Sequence, residues 1–364
     1  MTDGERAAAA GRHADHGGGR NSGRRRKSTK NKREDRYAAL DLGTNNCRLL
    51  IAAPRGKQLR IVDAFSRIVR LGEGVSRSGV LSEAAMERAI SALNICAEKM
   101  QRRGVTHSRC IATQACRGAE NGAAFLDRVQ REAGLTFDII LPEEEARLAV
   151  AGCADLLDKK ASAGLIFDIG GGSTELSWMR RKESSGSAEI AAWASLPFGV
   201  VSLAEKWGGR EIDPDRYETI VDDVRASIAN IGDPAGMKAV FENDDAHLLG
   251  TSGTVTSIAG VHLELDRYRR DRVDGLWLSA DDTRAVTEHL RAMSFEERSD
   301  VPCIGAERAD LVVCGCAILE ALLREWTSSR VRVADRGLRE GILEDLARKA
   351  RQDRNRRRRQ MKKP

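Results

Sequence analysis

Residues 165–178 constrain the fold more than any other stretch of this chain. The apolar run Leu165-Ile166-Phe167 ends in Asp168, passes through Ile169, Gly170, Gly171 and Gly172, and resumes through Ser173, Thr174, Glu175 and Leu176 to Trp178. The pattern is a strand, a turn almost free of side chains, and a second strand. Glycine permits positive φ and lets the backbone come close to a ligand. Successive bare N–H groups form a concavity suited to anions, phosphate above all. A glycine-rich hairpin in an ordinary sheet would look the same in isolation. A weaker copy upstream separates the two readings. There Leu40, Asp41, Leu42, Gly43, Thr44, Asn45, Asn46, Cys47 and Arg48 lead into Leu49-Leu50-Ile51.

Each copy opens a similar series. After the first, 58–69 alternates as a third strand. Residues 82–100 form an amphipathic helix with Ser82 as N-cap, 108–112 a buried strand, 120–133 a helix and 138–141 a short strand. Pro142 then opens a helix to about 157. After the second copy come a strand near 189–195 and helices near 203, at 213–231 and near 237. A strand at 247–249 leads into a glycine turn at 250–260. Helices at 280–293, 308–326 and 337–349 follow, with a strand at 330–334. Two βββαβα halves, each opening on an Asp-Gly turn, predict an α/β protein of two duplicated domains with a ligand held between them. The expected division is domain I at 37–160 and domain II at 161–350, the last helix being a candidate to pack back on domain I.

Charge sets the ends apart from the body. Residues 1–36 carry +6 and residues 348–364 carry +9, so a net charge of +6 leaves −9 on the body. The first segment reads as a basic disordered arm, 1–36, and the last, 351–364, as a basic tail. Both offer a polyanion contact, although no aromatics interleave the basic residues as base stacking requires. The eight cysteines show no metal-ligand spacing. They read as reduced core residues of a cytoplasmic protein. No apolar run is long enough for a membrane span and no secretory signal is present.

Two Asp-Gly turns at equivalent points would grip one phosphate chain from both sides. Backbone amides supply most donors, with Thr44, Asn45, Ser173 and Thr174 adding side-chain ones. Asp41 and Asp168 lie too near phosphate to act as plain acceptors, and they make sense with a divalent cation, Mg²⁺, between. Glu143, Glu144 and Glu145 suit a first helical turn, where the macrodipole favours negative charge. Only Glu145 shares a stripe with Leu148, Ala149, Gly152 and Leu156. Its carboxylate should point inward, which makes it the candidate general base. Arg117, after the 108–112 strand, is placed to clamp a terminal phosphate.

As a set these motifs resemble the exopolyphosphatase / guanosine pentaphosphate phosphohydrolase family, within the acetate kinase/sugar kinase/heat-shock-70/actin superfold. The residues that carry the resemblance are 41–49; Ala112-Thr113 with Arg117, Asn121 and Phe125; 144–148; and 168–176. Residues 250–254, Arg308-Ala309-Asp310 and 337–341 complete them. The resemblance implies two ribonuclease H-like domains and removal of the terminal phosphate of inorganic polyphosphate. The alternative substrate is the 5′-terminal phosphate of guanosine pentaphosphate, and (p)ppGpp is an expected ligand. It implies Glu145 as the residue that activates water, Asp168 and Glu175 (with Asp41) as metal and water ligands, and Arg117 on phosphate. The substrate side falls on Gly43, Thr44, Asn45, Asn46 and Arg48 together with Gly170, Gly171, Gly172, Ser173 and Thr174. The first turn departs from the common Ser-Asn-Ser pattern. The chain also stops short of the helical C-terminal domain that longer members carry. A homodimer is among the expected states. The competing readings are a same-superfold kinase with 250–260 lining a nucleotide pocket, a nucleotide sensor without turnover, and a nucleic-acid binder led by the arms.

Overall fold

A computed structural model describes residues 35–56, 58–182, 184 and 186–360. The expected basic arm, save Asp35 and Arg36, and the last four residues of the tail lie outside them. Five strands form the first sheet: β1 (Tyr37–Leu42), β2 (Asn46–Arg55), β3 (Gln58–Ile68), β4 (His107–Ala112) and β5 (Asp138–Ile139), in the order β3-β2-β1-β4-β5. The first three are an antiparallel meander, and β4 and β5 add in parallel beyond β1.

The second sheet contains β6 (Ala163–Ile169), β7 (Thr174–Arg181), β8 (Ala188–Leu196), β9 (Ala246–Thr251), β10 (Trp277–Ser279) and β11 (Arg330–Ala334). Its order, read from β8, is β8-β7-β6-β9-β11-β10. The first five positions repeat the first sheet strand for strand, with the same parallel and antiparallel pairings. The strand β10 is an added antiparallel edge. Three residues are too short for any alternation to show, so the sequence did not announce it. The duplication predicted from two Asp-Gly turns is therefore a duplication of whole domains.

Local chemistry accounts for the helix ends. Ser82 accepts from the Ala85 amide at the start of Glu83–Arg102, and Asp213 accepts from Arg216 ahead of Pro214–Ile231. Pro142 sits at the first helical position of Pro142–Cys153, with three glutamates in the first turn. The closing helix runs from Leu338 to Gln360 rather than stopping at 349. Residues 351–360 hold no Pro or Gly and are rich in Arg, a good helix former.

Two helices lie across the middle of the molecule. On Leu338–Gln360, Ile342, Leu343 and Ala347 pack on Tyr37, Ala39, Leu50 and Ile111 of the first sheet, and Leu148 joins them. On Pro142–Cys153, Val150 and Cys153 pack on Ile166, Met179 and Leu249 of the second. The two helices cross with their backbones in contact. A Cβ at Gly341 would lie 2.0 Å from Leu148 O, and one at Gly152 would lie 2.0 Å from Gly337 O.

All eight cysteines are free and buried. Among the described residues no helix is long and apolar enough to cross a membrane. Arg298 is an unusual buried cation, 3% exposed. Its guanidinium donates to the carbonyls of Ala309, Leu290, Met293 and Arg210, at 3.2, 3.4, 2.6 and 2.5 Å. It staples the segment around 301–311 to the domain behind it. Arg298→Met is expected to cost about 2 kcal/mol in a urea melt, because it strips buried carbonyls of their donor. An unchanged midpoint would show those carbonyls to be satisfied otherwise.

Candidate active site

Both Asp-Gly turns close in the same way. The Gly43 amide donates to Asn46 O and the Gly170 amide to Ser173 O, each at 2.9 Å. None of Gly43, Gly170, Gly171 and Gly172 has positive φ, contrary to one reason expected for them. The second turn needs glycine for room. A Cβ at Gly171 would come within 2.9 Å of Thr44 Cβ, and one at Gly172 within 2.9 Å of Gln114 Cγ. The missing side chains thus let the two halves meet, turn against turn.

Strand register decides which side chains face each other. In the first hairpin Asp41 lies opposite Arg48; in the second, Asp168 lies opposite Glu175. Directly opposed residues share one face of the sheet. The first copy therefore sets opposite charges across from each other, and the second sets like charges. Glu175 is 3% exposed, and its Oε1 accepts from the hydroxyls of Ser173 at 2.7 Å and Ser195 at 3.1 Å. Burial first, and then Asp168, push Glu175 up to about 7. Burial pushes Asp168 up to about 6, with Arg48 pulling down and Asp41 pushing up. Asp41 is raised by burial against the pull of Arg48 and Arg339.

Glu145 enters from the first turn of its helix. Burial and then the Glu175 carboxylate push it well above the usual range, and Arg117 opposes them. The stripe Glu145 shares with Leu148 and Ala149 does face inward, for both of those are buried. Glu144 is an outer structural residue instead. Its carboxyl is held at about 2, first by Arg147 and also by Arg109.

A cavity of about 810 Å³ gathers Asp41, Gly43, Thr44, Asn45, Asn46, Arg48, Glu145, Asp168, Gly170, Gly171, Gly172, Ser173 and Glu175. Two expected members stand outside its lining. The Thr174 hydroxyl donates to Phe198 O at 2.8 Å, so it is spent on the fold. Arg117 donates to Ile140 O at 2.6 Å, to Gln114 Oε1 at 2.8 Å and to Glu145 Oε2 at 3.3 Å. Its fork lies behind Glu145 and holds that carboxylate and Gln114, where the sequence reading had it on phosphate.

The lining also includes Gln114, Ser252, Arg308 and Arg339. Ser252 has φ 83° and its hydroxyl donates to Ile169 O at 2.6 Å. Positive φ in a residue with a Cβ is a strained state that clusters at functional sites, and sequence does not display it.

The cavity fits a divalent cation by its donor set. Asp41 Oδ1, Asn45 Oδ1 and Asn46 Oδ1 are buried without a hydrogen-bond donor, and the carboxylates of Asp168 and Glu175 stand opposite each other across their hairpin. Among the described residues no three acidic, Cys or His side chains already converge as a ligand set. Mg²⁺ does not need one, since it keeps waters and takes one or two carboxylates plus substrate phosphates.

These carboxylates predict a pH signature. A carboxyl raised by folding stabilises the fold fully below its ordinary value near 4, and that stability is lost as pH rises through its folded value. For Asp168 and Glu175 the loss falls at about 6 to 7. Chelator-treated protein should therefore melt several degrees lower at pH 8 than at pH 5, and Mg²⁺ should shrink the gap. Asp168→Asn with Glu175→Gln should reduce it, the raised carboxyls of Glu145 and Asp41 keeping the remainder. A melting point level across that range in chelator would contradict the burial of charge described here.

Comparison with known proteins gives the family and the fold. The model of the Ppx/GppA phosphatase family matches residues 50–350. A structure of the Aquifex aeolicus member of that family is 27% identical, with a TM-score of 0.71 over 87% of this chain and 98% of that one. A structure described as an exopolyphosphatase-like protein is 28% identical, with a TM-score of 0.77 over 86% and 99%. An exopolyphosphatase from Cytophaga hutchinsonii, 24% identical with a TM-score of 0.76 over 85% and 97%, shares the fold. With the family model matching most of its length, this chain, which brings both Asp-Gly turns into one cleft, belongs to the Ppx/GppA phosphatase family.

Proposed function

We propose that the protein is an exopolyphosphatase, which removes the terminal phosphate of inorganic polyphosphate by attack of a water activated by Glu145. The observation that carries this reading is the placing of Glu145 beside the opposed pair Asp168 and Glu175, in a cleft walled by two glycine turns. Family membership supports the coarser statement, that the chain is a hydrolase of phosphoric anhydrides.

Substrate phosphates would lie against the amides of both turns, with Arg48 on one wall. Asp168 would hold Mg²⁺, with Glu175 or Asp41 as the second carboxylate. When bound, the ion neutralises phosphate charge and polarises the phosphoryl oxygens. Phosphoryl transfer through a loose transition state asks mainly for positioning and charge stabilisation. Glu145 orients a water toward the terminal phosphorus and takes its proton. A raised carboxyl suits that task, because a base works best with its affinity for protons near the working pH. Arg117 and Gln114 keep Glu145 and the neighbouring turn in place. The division near residue 160 would then separate a domain carrying the base from one carrying the opposed carboxylates.

A second substrate is favoured by one feature. The cavity extends past the turns to Tyr268, Ile304 and Val312, a partly apolar wall that a bare polyphosphate does not use. It would receive the nucleoside of guanosine pentaphosphate. The test of both is phosphate release measured side by side on the two substrates, with ATP as the control for a phosphotransferase.

A further inference from the structure

The two turns do not stand alone; each rests on a support. Under the first turn, Asn45 O accepts from the amides of Val69 at 2.8 Å and Arg70 at 3.0 Å, and Thr44 O accepts from Gly72 at 2.9 Å. A Cβ at Gly72 would lie 2.3 Å from Thr44 Cγ2, so this loop is pressed against the turn. Under the second turn, Gly170 O accepts from Val200 at 3.0 Å and Gly171 O from Val201 at 2.8 Å. These amides open the helix Val200–Trp207.

The supports are joined to each other across the cleft. Arg70 donates through both arms of its fork to Asp310, at 2.8 and 3.1 Å, and also to Glu307 O at 3.1 Å. Glu205, on the helix beneath the second turn, accepts from the Gly74 amide at 2.6 Å and from the Ser76 hydroxyl. Arg70 has φ 46°, a cost in a residue with a Cβ that its surroundings must offset. Asp310 follows Arg308, which lines the cavity. Neither Arg70 nor Glu205 needs to touch substrate to matter there.

We propose that Arg70 and Glu205 are positioning residues. Together they latch the loop beneath the first phosphate turn to the helix beneath the second and to the Arg308 loop, and so set the separation of the turns. The latch rests on the exopolyphosphatase reading for its effect on rate, but not for its effect on shape. A bidentate Arg–carboxylate pair is the strong and directional form of the contact. Partial exposure, 33% for Arg70 and 20% for Asp310, keeps it weak enough to open.

The test uses the full chain with inorganic tripolyphosphate as the probe. Arg70→Ala and Glu205→Ala should each lower kcat/KM at least about tenfold, a loss of about 1.4 kcal/mol. The reciprocal swap, Arg70→Asp with Asp310→Arg, should recover most of what Arg70→Asp alone loses. Small-angle scattering should show both alanine variants more open than wild type in tripolyphosphate with Mg²⁺. Unfolding melts identify any variant that fails to fold, and Arg70→Lys then takes the place of Arg70→Ala. Folded variants with wild-type kcat/KM and scattering, or a swap no better than the single change, would overturn the latch. A wild type that releases no phosphate would instead sink the functional reading, and the scattering comparison would still decide the latch.

Discussion

Glu145→Gln is expected to lower phosphate release by about 10²–10⁴-fold at saturating substrate, the range for a positioned acid–base group, and to leave the fold intact. Glutamine keeps the size of the side chain and still accepts from Arg117, which now contacts Glu145 Oε2 at 3.3 Å. It cannot take a proton from water. The change removes a carboxylate that burial and Glu175 already disfavour in its charged form, so stability should hold or rise. The loss should appear in kcat with little change in KM, because the glycine turns and Arg48 are untouched. The residual rate reports what positioning alone supplies. Glu144→Gln is the matched control. It sits one residue away and pairs with Arg147 at 2.8 Å and Arg109 at 3.0 Å, so its loss should reduce stability and spare the rate. Full activity in Glu145→Gln would remove Glu145 from the base role.

Gly341→Ala is the second large effect, and it falls on folding. The added methyl would lie 2.0 Å from Leu148 O and 2.9 Å from Leu148 C, atoms of a facing helix backbone that has no rotamer to change. The helices must part, and overpacking of this kind costs about 3 kcal/mol at the upper end of the usual range. A denaturant melt should show the drop, about a hundredfold or more in the folding equilibrium. Since Leu148 is on the helix that starts with Glu145, parting the helices should also shift the base, and kcat should fall further than stability predicts. A melt and a rate both equal to wild type would mean that the crossing has slack the structure does not display. The prediction connects a reading of the sequence, Gly337-Leu338-Arg339-Glu340-Gly341 as part of a phosphatase signature, with a finding of the structure, Gly341 as the point where two helices touch.

Much of this was legible because it depends on period and punctuation. Two apolar strands ending in Asp and turning through Gly had to be hairpins, and their repetition had to be a duplication. The inward aim of Glu145 followed from its stripe with Leu148, Ala149 and Gly152. The opposition of Asp168 and Glu175 was not read, although it follows from register: a hairpin whose Ile169 pairs with Thr174 sets the flanking residues face to face. Arg117 was placed on phosphate because Arg at a strand mouth fits an anion, and sequence does not tell which acceptors a fork will meet first. Thr174 was counted as a donor for the same reason, and Phe198 O takes its hydroxyl. The glycines are read as allowing positive φ and close approach to a ligand, whereas at Gly171 and Gly172 the room is taken by the other half of the protein. Their partners, Thr44 and Gln114, lie far away in sequence, and only the meeting of the two domains brings them close. The same holds for Arg70 and Asp310, which are 240 residues apart. What escaped the sequence is which partners each side chain meets, within a half as well as across the cleft.

The central claim is that two Asp-Gly turns, the carboxylates of Asp41, Asp168 and Glu175, and Glu145 form one metal-assisted site for a terminal phosphate. Its most direct test is release of inorganic phosphate from polyphosphate by the purified wild-type chain, with Mg²⁺ and with excess chelator, while the length of the remaining polymer is followed. The account predicts phosphate released one at a time from chain ends with Mg²⁺ and no release in chelator. No release with Mg²⁺, equal release in chelator, or internal fragments would contradict it.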